Sequence, residues 1–130
     1  MNDFSDGMSV ATSAMKAQAT RLRHVSENIA NTDTPGFRRK IVSFEEEVAL
    51  GQRTGAVVTG PLRLDQTDLA RIYDPAHPLA DADGYFQGSN VNLLIEIADA
   101  REAQRSYEAN LKMFDQLRQM SSALMDLLRR

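Results

Sequence analysis

The chain has 130 residues, 42% hydrophobic and 25% charged, with a net charge of −3, which suits one folded domain or less. It contains no cysteine, so disulfides, thiolate metal sites and cysteine nucleophiles are excluded. Charge runs +2 over residues 1–40, −5 over 41–90 and 0 over 91–130, which removes the basic footprint of a nucleic-acid binder.

The first thirty residues carry a helical stripe. Phe4, Met8, Ala11, Met15, Gln18, Leu22, Val25 and Ile29 recur at spacings of four and three, an a/d-type seam interrupted by Gln18. Ser5 or Asp6 is placed to cap its start. The stripe stops at Asn31, and Asn31-Thr32-Asp33-Thr34-Pro35-Gly36 follows. Thr34 precedes proline and is pushed out of helical geometry. Pro35-Gly36 suits the centre of a type II turn, where glycine supplies positive φ.

Every proline, and every glycine except Gly7, lies within residues 35–88. Phe37–Phe44 is rich in β-branched and aromatic residues and reads as extended. Glu45-Glu46-Glu47 reads as a solvated acidic step. Ala56–Thr59 and Ala70–Tyr73 read as short strands. Asp74-Pro75-Ala76-His77-Pro78 and Asp81-Ala82-Asp83-Gly84 read as loop. The helical period returns after Asn90 or Asn92, either of which can cap it. Its stripe is Ile97, Ala100, Gln104, Tyr107, Leu111, Phe114, Leu117, Ser121, Leu124 and Leu128. Some 37 helical residues would span roughly 55 Å.

The expected fold is mainly α: long N- and C-terminal helices paired in a coiled-coil-like arrangement, with a small irregular β-containing insert between them. The expected units are residues 1–34, 35–89 and 90–130. Two singly striped helices make little core by themselves, so their uncovered stripes predict an interface.

Catalytic chemistry is hard to find. His24 and Glu27 have a helical metal-ligand spacing but lack further ligands, so a surface histidine is the better reading and no metal site is expected. Asp81–Gly84 misses the spacing of a calcium loop, with Asn92 where a glutamate belongs, and reads as a tight polar turn. Phosphate loops, nucleophile elbows and dinucleotide fingerprints are absent, and no cofactor is expected. Arg38-Arg39-Lys40 suits charge pairing or a subunit contact better than nucleic acid. Asn28, Asn31 and Asn110 allow two readings: helix-end and surface chemistry, or buried amides that set helices in register. No apolar run is long enough for a membrane span, and residues 1–7 lack the regions of a cleaved secretory signal.

The segment Ser26–Arg38 (SENIANTDTPGFR) resembles the N-terminal signature of bacterial flagellar rod and hook proteins. Its carriers here are Asn28, Asn31, Thr34, Gly36, Phe37 and Arg38. The later segments Tyr73–Pro78, Asp81–Tyr85, Asn90–Asn92 and Ser106–Asn110 are similar to those of the short proximal-rod members. The chain departs from them at Gln87-Gly88-Ser89, where an aromatic–proline step is commoner. The resemblance implies a non-enzymatic subunit of a hollow helical shaft crossing the periplasm, carrying torque from motor to hook. It implies export through the flagellar type III apparatus without a cleaved signal. Implied partners are further copies of the chain and other rod subunits, near the membrane-embedded ring and the export gate. Met15, Leu22, Val25, Ile29, Ile97, Tyr107, Leu111, Phe114 and Leu124 are the expected packing residues. A helical adaptor and an enzyme are the competing classes; a stable folded monomer would favour the first and a polar cleft the second.

Overall fold

The computed structural model describes residues 3–130. Helix α1 spans Asp3–Ala30 and helix α2 spans Leu93–Leu128. At 28 and 36 residues they are about 42 and 54 Å long. Between them lie six short strands: β1 (Lys40–Ile41), β2 (Phe44–Ala49), β3 (Gln52–Thr59), β4 (Arg63–Leu64), β5 (Arg71–Tyr73) and β6 (Tyr85–Gln87). They form three separate antiparallel ladders, β1 with β4, β2 with β3 and β5 with β6.

The helices run antiparallel. Asn28 meets Glu96, Arg21 meets Asp99, and Gly7 lies against Leu117. A Cβ built on Gly7 would come within 3.0 Å of Leu117 Cδ1, so the glycine sets the close approach at that end. Alanines do the same further along: Ala11, Ala17 and Ala103 are buried. Such a seam brings backbones together but removes little apolar area from water.

On α1 the expected stripe does turn inward. Val25 and Ala11 are buried, and Phe4, Met8, Met15, Gln18, Leu22 and Ile29 are half-buried. Its neighbours Ala17, His24 and Asn28 share the seam. The helix already includes Ser5 and Asp6, so neither is its cap, and the capping position falls outside the described residues. On α2 the inward face is displaced by about one residue from the expected stripe in its first half. Glu96 and Ala103 are buried, while Ile97, Gln104 and Leu111 are exposed. The two registers converge at Tyr107, Phe114, Leu117 and Ser121, which are half-buried. Leu124 and Leu128 are exposed again, because α2 runs past the start of α1. Asn92 caps α2, its side chain accepting from the Leu94 amide at 3.1 Å.

The acidic run is solvated as expected, and it is also a strand. Glu45, Glu46 and Glu47 lie inside β2, which pairs with β3 and is bulged between Glu46 and Val48. Strand β3 then rests on α1: Ala56 is buried and the Val57 amide donates to Ser13 Oγ at 3.0 Å. The hairpin closes in two residues, Leu50 at φ 52° and Gly51 at φ 78°. Both central positions need positive φ, which suits Asn-Gly far better than a leucine. Leu50 is also fully exposed, at 104%. Leu50→Asn should stabilise the isolated chain by about 1 kcal/mol, read as a rise of a few degrees in a thermal melt; an unchanged or lower midpoint would contradict the strained turn.

The β5–β6 ladder holds a small aromatic cluster. Tyr73 and Tyr85 ring centroids are 5.0 Å apart, Arg71 lies 4.1 Å over Tyr85, and His77 stacks on Phe86 at 3.9 Å. Asp81 accepts from the amides of Asp83 and Tyr85, an Asx-type turn. The Tyr85 amide, followed by that of Asp83, holds its carboxyl below the usual range.

Candidate assembly site

The motif residues meet at the end of the molecule where α1 leaves and α2 begins. Asn31 and Thr32 finish α1 with their side chains. Asn31 Nδ2 donates to the Glu27 carbonyl at 2.8 Å, and Thr32 Oγ1 donates to the Ile29 carbonyl at 2.9 Å. They satisfy carbonyls that the helix end leaves free. Asn31 does not use left-handed geometry; among the described residues Leu50 is the one non-glycine with positive φ. Thr34 Oγ1 donates to Asn31 Oδ1 at 3.0 Å.

The turn has the expected form. The Phe37 amide donates to the Thr34 carbonyl at 3.2 Å, and Gly36 has φ 74°. The Gly36 amide reaches the carbonyls of Gln87 and Gly88. A Cβ on Gly36 would meet nothing within 4 Å, so conformation alone demands glycine. Gly36→Val should cost about 1–2 kcal/mol or more through left-handed strain on a β-branched residue. A urea melt indistinguishable from the parent would reject that assignment.

Arg38 crosses to the insert, donating to the carbonyls of Asp65 and Thr67 at 3.2 and 3.0 Å. Lys40 pairs with Glu27, and the Lys40 ammonium holds that carboxyl below its ordinary pKa. The basic run is therefore used inside the chain. His24 Nδ1 lies 3.8 Å from the same Glu27 carboxylate. Among the described residues no group of three or more His, Asp or Glu could hold a metal ion.

The centre of the junction is polar. Glu96 and Asn28, both 0% exposed, are the largest fully buried side chains. Asn28 donates to the Lys40 carbonyl at 3.0 Å and to Glu96 Oε2 at 3.2 Å, and accepts from the Lys40 amide at 2.8 Å. Arg39 Nε donates to Glu96 Oε1 at 2.6 Å; its other nitrogens lie 3.3 Å from Asp65 and 3.6 Å from Asp99. Burial alone would depress the Arg39 pKa, but Glu96 and Asp65 outweigh it and hold it above its ordinary value. Asp65 is held low first by Thr67, through backbone and hydroxyl, and then by Arg39. Asn90 accepts from the Arg39 amide at 2.7 Å and donates to the Asp65 carbonyl at 2.9 Å. Ser89 Oγ donates to the Thr32 carbonyl; beside it the Ala70 amide donates to the Ser89 carbonyl at 3.1 Å and the Gly88 amide to the Ala70 carbonyl at 2.7 Å. That pairing fixes the path through Gln87-Gly88-Ser89 into α2.

Of the two asparagine readings, Asn28 follows the second, since its buried amide joins α1 to β1 and α2. Asn110 follows the first: it donates to the Ser106 carbonyl of its own helix. Arg39, Asp65 and Glu96 were not singled out from sequence as a site. The available signal was an acid, Glu96, in the first turn of a helix and seven residues before a buried alanine. Large apolar side chains are exposed along α2, including Leu94, Met113, Met120, Met125 and Leu127. Among the described residues no helix is long and apolar enough to cross a membrane.

Both ends of the chain match family profiles. That of flagella basal body rod proteins covers residues 8–38, and that of the C-terminal region of flagellar basal body rod FlgEFG proteins covers residues 82–127. The flagellar basal-body rod protein FlgC of Agrobacterium fabrum is 43% identical, with 99% of this chain and 98% of that protein covered. FlgC of Salmonella typhimurium is 35% identical over 85% and 87% of the two chains. FlgC of Bacillus subtilis is 34% identical over 80% and 84%. The paired terminal helices and their motif turn thus define a structural component of the flagellar basal-body rod, not an enzyme. Within that class the chain belongs to the FlgC family.

Proposed function

We propose that this chain is a proximal-rod subunit whose helices stack with those of neighbouring subunits to form a torque-bearing shaft. The observation that carries this is the register of α2, whose first half turns Glu96 and Ala103 inward in place of its apolar stripe. Alanine and polar groups fill the seam within the chain, while Ile97, Leu111 and Leu124 face out. A monomer gains nothing from that arrangement, but an assembly buries those residues. Met113, Met120 and Leu127 add an exposed seven-residue repeat along one flank of α2, the period of coiled-coil contacts. A coiled-coil-like unit of α1 and α2 is the inner layer in this reading, with the insert outside it. The same contact repeated without closure gives a helical shaft, and several contacts per subunit resist twisting.

The shaft crosses the periplasm, and the chain reaches it unfolded through the flagellar type III apparatus. A small core suits that route, because little apolar burial has to be undone. Its partners are copies of itself and other rod subunits, near the membrane-embedded ring and the export gate. In isolation the outer turns of both helices should be loosely held and become protected on assembly. A cryo-EM map of isolated basal bodies tests the assignment directly. Density for this chain in the rod wall is expected; its absence from the rod would overturn the reading. Strong amide protection throughout residues 5–31 of the monomer would contradict ordering on assembly.

A further inference from the structure

We propose that Asn28, Arg39 and Glu96 form a rigid coupling that fixes the angle between the insert and the helix pair, contributing orientation rather than stability. The proposal rests on the rod reading, since only a load-bearing subunit needs that angle held. The chain passes between helices and insert at residues 31–39 and 88–92, and both crossings end at this junction. Arg39 touches α2 through Glu96 and Asp99, and the insert through Asp65. Its amide holds Asn90 at the entry to α2. Asn28 ties α1 to β1 in both hydrogen-bonding directions.

Apolar attachment of the insert is one-sided. Strand β3 rests on α1 through Ala56, while Ile72 and Leu64, on the ladders near the junction, are exposed. Resistance to rotation there falls to directional bonds. A guanidinium fork between three carboxylates has a fixed plane and permits little swivel, whereas packed methyl groups can slide. Buried ion pairs seldom add net stability over apolar groups of similar volume, and their best attested use is to specify register. Because Glu96 is fully buried, its bond to Arg39 is little weakened by external salt.

The test compares the parent with the triple variant Asn28→Leu/Arg39→Met/Glu96→Leu, and separately with Arg39→Lys. Each is made as the full chain and also expressed in cells lacking their own copy. The triple variant should melt close to the parental midpoint, the apolar side chains offsetting the Lys40 main-chain groups that Asn28 no longer holds. Hydrogen exchange at residues 63–67 and 88–92 should rise by about tenfold or more, with residues 11–25 and 100–117 unchanged. Swarming should fall sharply although the chain is still incorporated into basal bodies. Arg39→Lys keeps one charge but cannot span three carboxylates, and should show the same loosening to a smaller degree. Parental swarming by the triple variant would overturn the proposal. So would a fall in melting midpoint that tracks the loss of swarming across both variants, since the junction would then be an ordinary stabilising contact. Parental exchange and swarming in Arg39→Lys would also overturn it. Failure of the rod reading would appear elsewhere, as absence of the parental chain from the basal body.

Discussion

Leu111→Asp should leave the isolated chain folded and abolish its incorporation into the rod. Leu111 is 42% exposed and lies off the α1–α2 seam. An exposed aspartate there finds water, and substitutions away from structural features stay within about 0.5 kcal/mol. Inside an assembly the same carboxylate would be buried without a partner. Breaking a buried charge balance costs about 3–5 kcal/mol, and a helical shaft repeats the penalty at every copy. Circular dichroism should therefore match the parent, while basal bodies from cells carrying the variant should lack it. Normal incorporation would remove Leu111 from the interface. A collapse of the monomer would place the residue in the chain's own core, against its exposure.

The second large effect is Glu96→Leu made alone. The change leaves Asn28 Nδ2 with the Lys40 carbonyl as its remaining acceptor and Arg39 without its closest partner, beside a side chain that is itself fully buried. Asp65 and Asp99 still balance part of the arginine charge. The cost should thus lie near the lower end of the range for half-broken buried pairs, about 3 kcal/mol. Against a typical total of about 5–15 kcal/mol for a whole domain, that is roughly a fifth to three fifths of the stability. A chemical melt should show it directly; a loss below about 1 kcal/mol would mean that water reaches the junction. The comparison with the triple apolar variant is the informative one. Removing one member should be far worse than removing all three.

The period-3.6 signal marked both helices, and glycine and proline marked the insert. The Thr34–Phe37 turn was legible because proline and glycine each have few alternatives there. What periodicity did not reveal is the register of α2. A stripe traced by apolarity selects Ile97 and Leu111, but the buried residues of α2 are Glu96 and Ala103. In most small domains large apolar residues go inside, so the two faces coincide. Here they separate over the first half of α2, where Ile97 and Leu111 are left exposed, and meet again at Phe114 and Leu117. The junction was invisible for a related reason. Its members sit 57 and 68 residues apart, and a buried acid looks like a surface acid until its partners are seen. Strand β2 was hidden by three glutamates, whose charge argues for solvent but not against an extended backbone.

The span between Asn28 and Glu96 also has a consequence in time. A ribosome makes this chain from its N-terminus, so α1 exists long before any part of α2. Local hydrogen bonds can form α1 early, but its seam stays uncovered until Ala103 and Leu117 have emerged. The knot of bonds at residues 28, 39 and 96 needs nearly three quarters of the sequence before it can close. Contacts so distant form slowly relative to local ones. The fold is thus shut by its last segment, and a nascent chain ending before Leu117 should still present α1 as an open helix for other proteins to hold.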